Sequence, residues 1–519
     1  MIKYKTIFLG FLIICLGSCE KAGNKVDVLI ENGTVYNGVD TVPSVVSIAV
    51  KGDKIIYVGA PEKINVKAKK IIDAKGMVVS PGFIDPHTHA NVDLNNPERS
   101  HNKPFLFQGI TTVVVGNDGN SDFPISKYDR QYTEQGIGTN VAFMVGQGTI
   151  REKVMGKTDR PATEMEIAKM KELVQQEMDA GAIGISTGLF YAPGSYSDTK
   201  EVIALARTVA QHKGIYDTHL RDEGSYSIGL VQAVQEAISI GEKAGLPVHI
   251  SHIKCLGSEV WKQSDTLINI IEEARKRGVD ITANQYPYEA SATGLKAAVV
   301  PRWAESGGSD SLFIRYGNPK MRAQILGETQ ENIDLRGGPE KLLIVNADHK
   351  DFEGKTLQEI SETMEMPPNE SVFEILRTGH ARVASFSMDP YDIKNFMQKG
   401  WVVTGSDGNT GHPRKYGTFP RKYNKYVKKR IIGLVEFING STSKTANILQ
   451  IPKRGAIKEG YYADIIIFDP EIFGDKADYD DPFQFSVGLE YSLINGKLSV
   501  ENGQYTGKLN GRTIKKEQL

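Results

Sequence analysis

Between about residues 77 and 440, short runs rich in β-branched residues alternate with segments of helical period. A parallel strand pair needs a long return connection, so this alternation argues for parallel strands joined by crossover helices. Eight runs read as strands: 77–85, 110–116, 140–146, 182–187, 215–219, 247–252, 279–286 and 401–406. The intervening helices are well marked. Thr163 with Glu166 has capping-box spacing, ahead of an apolar stripe of Ile167, Met170, Val174 and Met178. Asp198 with Glu201 repeats the device, and Gly214 stands where a helix-ending C′ residue belongs. Residues 228–244 and 265–277 are helix-like as well. Eight strands with seven visible crossovers predict an α/β fold, a (β/α)8 barrel.

Two regions fall outside that count. Residues 289–385 are far too long for a βα loop and are expected to form an inserted subdomain or lid after the seventh strand. Residues 27–76 and 455–519 are β-rich and hairpin-like, as in Asp27–Gly33, Ala463–Asp469 and Tyr491–Gly496. Neither half can bury a face alone, so the two are expected to pair into one small β-sandwich built from both chain ends. The barrel would then occupy residues 77–454.

The first 26 residues read as an address. Lys3 and Lys5 precede an apolar run from Ile7 to Leu16, too short to span a bilayer, which needs about 20 residues. Leu16-Gly17-Ser18-Cys19 follows. This resembles a bacterial lipoprotein signal: cleavage after residue 18, lipidation of Cys19, and a polar tether over 19–26. The expected location is the cell envelope, exported and lipid-anchored. Of the three cysteines, cleavage removes Cys15 and lipidation uses Cys19, so Cys255 has no intramolecular disulfide partner.

Composition excludes several classes. The chain has 62 Lys+Arg against 63 Asp+Glu, and loss of Lys3 and Lys5 leaves 60 against 63, so no electrostatic case exists for a nucleic-acid partner. A hydrophobic fraction of 40% with 24% charged residues excludes bulk disorder. A mean hydropathy of -0.30 excludes a polytopic membrane protein.

Metal-competent residues cluster at the strand ends. His87 and His89 follow the first strand, Asp118 the second; His219 ends the fifth, His252 the sixth, and Asp407 follows the eighth. All six lie at C-terminal strand ends, the face on which barrel active sites are built. Residues i and i+2 of an extended segment share a side, so His87 and His89 can aim at one point. Four imidazoles and two carboxylates form a zinc-like donor set. His101, His212, His249, His349 and His380 do not share this placement and are expected to be structural, while His412 lies beside the site.

These residues sit in motifs that resemble the amidohydrolase superfamily, and within it the D-aminoacylase, or N-acyl-D-amino-acid deacylase, group. The resemblance covers about residues 27–510. It rests on GFIDPHTH (82–89), ISTGLFYAPGSYSDTKEV (185–202), THLRDEG (218–224), ISHIKCLG (250–257), VPRWAESGG (300–308) and GSDGNTGHPRKYGTFPR (405–421). The resemblance implies that His219 and His252 hold a tight metal, that His87 and His89 hold a second or weaker one, and that Asp407 is the general base. It implies that Lys254, Tyr286, Ser291 and Arg414 grip a substrate α-carboxylate. One position departs from the pattern: relatives commonly carry Cys where this chain has Asp118. A hard carboxylate can bridge two cations, so one or two Zn2+ ions are expected and another divalent metal is admissible. Residues 183–190 contain no lysine, so a carbamylated-lysine bridge has no candidate on the fourth strand.

The resemblance implies hydrolysis of N-acyl-D-amino acids or D-residue dipeptides, small substrates with a carboxylate, by water that the metal activates as hydroxide. Two other readings stay open here. Deacetylation of N-acetylated amino sugars uses the same chemistry without an α-carboxylate. An inactive binding lipoprotein would retain the site only as a relic.

Overall fold

The structure, a computed structural model, describes residues 24–516; the expected export segment and Cys19 lie outside them. Eight parallel strands form the central sheet in chain order: β1 (Phe83–Asp85), β2 (Ile110–Val115), β3 (Asn140–Gly146), β4 (Gly184–Gly188), β5 (Ile215–His219), β6 (Val248–Ile250), β7 (Ile281–Gln285) and β8 (Val402–Thr404). Just past the ends of β8 and β1, the Asp407 N–H donates to the His87 carbonyl at 2.9 Å and Thr88 bridges Gly408, which brings the two edges together. The fold is the expected (β/α)8 barrel. Every residue of β2, β3, β4 and β5 is buried, which explains why β2 and β3 read as nearly continuous apolar runs rather than alternating ones.

The helices pack a single face onto this sheet. Leu230–Ala244 buries Leu230, Ala233, Val234, Ala237, Ile238 and Gly241 at three- and four-residue spacing. Each large side chain in such a stripe contributes about 1.5–3 kcal/mol, so a charge at Val234 would break the contact. The Thr163–Glu166 capping box is formed, and Asp198 caps its helix by accepting from the Glu201 N–H. That second helix ends differently from the expectation. Lys213, not Gly214, takes the left-handed conformation (φ 54°). Gly214 is required by close approach instead: a Cβ there would stand 2.5 Å from Val209 Cγ1.

The segment 77–85, read above as one strand, is two. Val78–Pro81 pairs antiparallel with Ile465–Phe468 and parallel with Thr34–Val35, while Phe83–Asp85 enters the barrel. The chain changes sheet at Gly82, where a Cβ would meet the Thr111 side chain at 2.2 Å, so only glycine lets the strand cross so close to β2. The sandwich does draw on both ends. A four-stranded sheet from residues 24–73 faces a seven-stranded sheet that includes 34–45, 78–81 and 465–505, over a shared core of Ile30, Ile48, Val79, Ile465 and Leu493. The last described strand, Thr513–Ile514, leaves the sandwich and pairs with β3.

The insertion has its own core. Ala290–Gly294, Ala381–Phe386 and Leu342–Ala347 form a three-stranded antiparallel sheet, packed by helices through Leu295, Ile325, Ile333, Phe373 and Val383. Among the described residues, no helix is long and apolar enough to cross a membrane.

Candidate metal centre and active site

All six predicted donors meet at the C-terminal mouth of the barrel. They form two groups that share Asp118: His87, His89, Asp118 and Asp407 in one, Asp118, His219 and His252 in the other. Asp118 Oδ1 lies 3.3 Å from His87 Nε2, 3.3 Å from His252 Nε2 and 3.7 Å from His219 Nδ1, and its Oδ2 lies 3.5 Å from His89 Nε2. Asp407 Oδ1 is 3.1 Å from His89 Nε2 and 3.8 Å from His87 Nε2. Ligand atoms 2.0–2.2 Å from a tetrahedral zinc stand roughly 3.4 Å from one another, so these spacings suit a shared cation. Both ring nitrogens of His87 are buried without a hydrogen-bond partner, and its Nε2 faces Asp118 and Asp407. An unsatisfied imidazole facing ionised carboxylates is what a metal would complete.

The local backbone is unusual. Asp118 (φ 55°), His252 (φ 34°) and Asp407 (φ 47°) all take left-handed conformations despite carrying side chains. Such strain persists where surrounding structure over-determines it. Here Ser186 Oγ accepts from the Gly119 N–H at 3.0 Å, Asn284 Oδ1 accepts from the His252 N–H at 2.9 Å, and the Asp407 N–H bonds His87.

Burial alone would push the Asp118 carboxyl up, but His87, His252 and His89 around it hold it well below the usual carboxylate range. Asp407 is likewise kept ionised against burial by Arg414 and His89. Burial lowers His219 to about 4, so this imidazole is neutral and able to ligate.

Glu223 was not singled out from the sequence, although it stands four residues after His219. It is buried with Oε1 3.1 Å from His252 Nδ1 and Oε2 3.5 Å from His219 Nε2. One carboxylate thus orients two imidazoles, the usual outer support of a metal site. Lys254 serves the same support: its Nζ is 2.5 Å from Glu223 and 2.7 Å from His252 Nδ1.

The other expected substrate residues face the centre. Fully buried Arg414 gives its Nη2 to Asp407 Oδ2 at 2.7 Å and to the Ala292 carbonyl at 3.2 Å, leaving Nε and Nη1 with no partner. The hydroxyls of Tyr286, just past β7, and of Ser291, on the inserted strand, are also buried and unpartnered. Arg414 lies over the Tyr286 ring, 4.7 Å from its centroid. His412 is structural: Nδ1 accepts from the Arg414 N–H, and Nε2 faces the Ala290 carbonyl at 3.2 Å. His249 is structural too, held between Thr282 and Asn284. A cavity of about 420 Å³ opens above the donors, with His89 and Asp118 on its floor and Tyr191, Thr293, Arg382 and Asn409 in its wall.

A family model described as Amidohydrolase family matches residues 70–500. The chain belongs to the amidohydrolase family. It is 31% identical over 516 residues to the D-aminoacylase of Alcaligenes xylosoxydans xylosoxydans, covering 94% of this chain and 97% of that protein. A solved D-aminoacylase with a binuclear metal centre, activated by one metal and attenuated by a second, superposes with a TM-score of 0.81 at 30% identity, over 94% of this chain and all of the other. An N-acyl-D-glutamate deacylase from Bordetella bronchiseptica, solved with zinc and a phosphonate mimic of the tetrahedral intermediate, gives 0.81 at 27% identity, over 95% of this chain and all of the other. This amidohydrolase is therefore a metal-dependent amide hydrolase of the D-aminoacylase kind, and the His and Asp side chains between its strand ends are grouped closely enough to hold a metal ion.

Proposed function

We propose that the chain hydrolyses N-acyl-D-amino acids, or dipeptides with a D residue, releasing the free amine. The observation that carries this reading is the set of buried, unpartnered donors beside the metal centre: Arg414 Nε and Nη1, Tyr286 Oη and Ser291 Oγ. A carboxylate offers about four acceptor positions, which suits such a set, and a neutral sugar ring does not. The D configuration rests on similarity to D-aminoacylase.

When bound, the cation lowers the pKa of water from 15.7 toward about 7 and polarises the scissile carbonyl. His87, His89, Asp118, His219, His252 and Asp407 would hold it, as one or two zinc ions or another divalent metal. The chain's own residues do the rest. Asp407 accepts the proton of the attacking water at Oδ1 and delivers it to the nitrogen as the C–N bond breaks. Arg414, Tyr286 and Ser291 fix the carboxylate beside the scissile amide, and Lys254 keeps Glu223 and His252 in position. The test is a panel of N-acetyl-D- and N-acetyl-L-amino acids, D-dipeptides and N-acetylglucosamine, with Arg414→Ala beside the wild type. Hydrolysis of carboxylate-bearing D substrates alone, crippled in the variant, supports the reading. Preferred turnover of N-acetylglucosamine over the carboxylate-bearing D substrates would replace it with amino-sugar deacetylation.

The proposed location is the cell envelope, anchored through a lipid on Cys19. The basic, apolar and small-residue order of residues 1–19 supports this. Metabolic labelling with a fatty-acid analogue should mark the wild type and fail in Cys19→Ala.

A further inference from the structure

Arg382 stands in the wall of the catalytic cavity with no carboxylate in direct contact, although the charges of Asp407 and Asp118 reach it. It sits on the inserted strand Ala381–Phe386, between Gly294 of one neighbouring strand and Asn346 of the other. Its Nε is shut from solvent with no hydrogen-bond partner. The fully buried arginines are provided for. Arg151 pairs with Glu201, Arg414 with Asp407 and Arg454 with Asp464, while Arg336 donates to the Ala298 carbonyl and Ser385. Among the described residues, no carboxylate forms an ion pair with Arg382. Its one polar side-chain partner is the Asn409 amide oxygen, which accepts from Arg382 at 2.8 Å and from Arg414 at 2.9 Å in the orientation that satisfies both. A half-buried guanidinium with no carboxylate paired to it is costly, and two guanidiniums sharing one neutral oxygen repel each other. A carboxylate entering the cavity can pair with Arg382 directly.

We propose that Arg382 binds a second carboxylate of the substrate, making the preferred substrate a dianion. The inference rests on the deacylase reading, which assigns the first carboxylate to Arg414, Tyr286 and Ser291. The second carboxylate extends into the cavity of about 420 Å³ whose wall holds Arg382, where the guanidinium fork can take it in a bidentate pair. It can come from an acidic D side chain or from an acidic acyl group; the chemistry is the same.

The experiment separates these sources. The metal-loaded protein is assayed for kcat/KM on matched pairs: N-acetyl-D-glutamate against N-acetyl-D-glutamine, N-acetyl-D-aspartate against N-acetyl-D-asparagine, and N-succinyl-D-alanine against N-butyryl-D-alanine. The wild type should favour the acidic member by about 10–100-fold in the first two pairs or in the third, the range of a charge-assisted contact. In Arg382→Gln that ratio should fall to near one, and Arg382→Lys should recover part of it. A side-chain source gives the effect in the first two pairs, an acyl source in the third. Equal losses on both members of every pair would make Arg382 a stabiliser of the reacting carbonyl oxygen or a structural residue, and would overturn the proposal. Wild-type turnover of neutral D substrates without acidic preference also overturns it, and leaves the deacylase reading standing. Inertness of the whole D panel sinks both. The melting temperature adds an independent readout: Arg382→Gln should melt no lower than the wild type, because it removes an unpaired charge, whereas a structural arginine would lower it.

Discussion

The floor and the wall of the active site are built from different parts of the chain. The floor is His87, His89, Asp118, His219, His252 and Asp407, all presented by the ends of barrel strands or the turns just past them. Much of the wall belongs to the insertion: Ser291, Ala292 and Thr293 on its first strand and Arg382 on its last. The floor sits on a closed scaffold whose strands are buried on both faces. The wall rides on a separate three-stranded sheet with its own core, tied down where His412 and Arg414 meet the carbonyls of Ala290 and Ala292. Reaction chemistry and substrate choice are thus carried by separable units. Changes to the floor should slow every substrate alike, and changes to the wall should act according to the substrate.

Removing the metal is the harshest floor experiment. Dialysis against a chelator should cost several kcal/mol of barrier stabilisation, roughly 10³-fold or more in kcat, on all substrates, and added zinc should restore it. Asp407→Asn comes next, with an expected loss of about 10²–10⁴-fold in kcat while the protein still binds metal. Arg414→Ala joins floor to wall. It should slow every substrate by unpairing Asp407, and cost a carboxylate substrate roughly 10–100-fold more in kcat/KM than the corresponding amide. Glu223→Gln should weaken metal affinity about 10–100-fold, measured by competition with a chromophoric chelator, because both imidazoles lose their orienting carboxylate.

The smallest effect concerns the scaffold. Lys422 is buried, with its Nζ 3.1 Å from Thr404 Oγ1 below the mouth, and burial lowers its pKa to about 7. Between pH 7 and the ordinary value near 10.5, the unfolded chain binds more protons than the folded one, so this group makes stability rise with pH across that window. Lys422→Met should therefore raise Tm by a few degrees below pH 7, and the gap should close toward pH 10. A gap that widens with pH would contradict the assignment.

The donor set was legible because its chemistry and its address coincide. A histidine or aspartate at the end of an apolar run has few roles, and six at one face of one barrel have fewer. The Thr163–Glu166 capping box, the Asp198 cap and the helices near 228–244 and 265–277 were legible for a similar reason, being local signals, although Glu201 does not return the bond that would complete a second box. The break at Gly82 was not, because both halves of 77–85 are apolar and only the approach of Thr111 demands the glycine. Glu223 was partly legible from its spacing to His219, but its second contact, to His252, comes from a neighbouring strand. Arg382 had no local signal at all. It stands near the end of an insertion of almost a hundred residues, and its role depends on a sheet pairing that places it opposite Gly294.

The account turns on Asp118 joining two donor groups into one metal centre that serves amide hydrolysis. The most direct test is metal content per chain by mass spectrometry for wild type and Asp118→Ala, read beside N-acetyl-D-amino-acid hydrolysis on the same samples. The account predicts one or two divalent ions in an active wild type, with both metal content and turnover falling in the variant. A variant that keeps its full metal and its activity, or a wild type that hydrolyses the substrate with no metal bound, would contradict it.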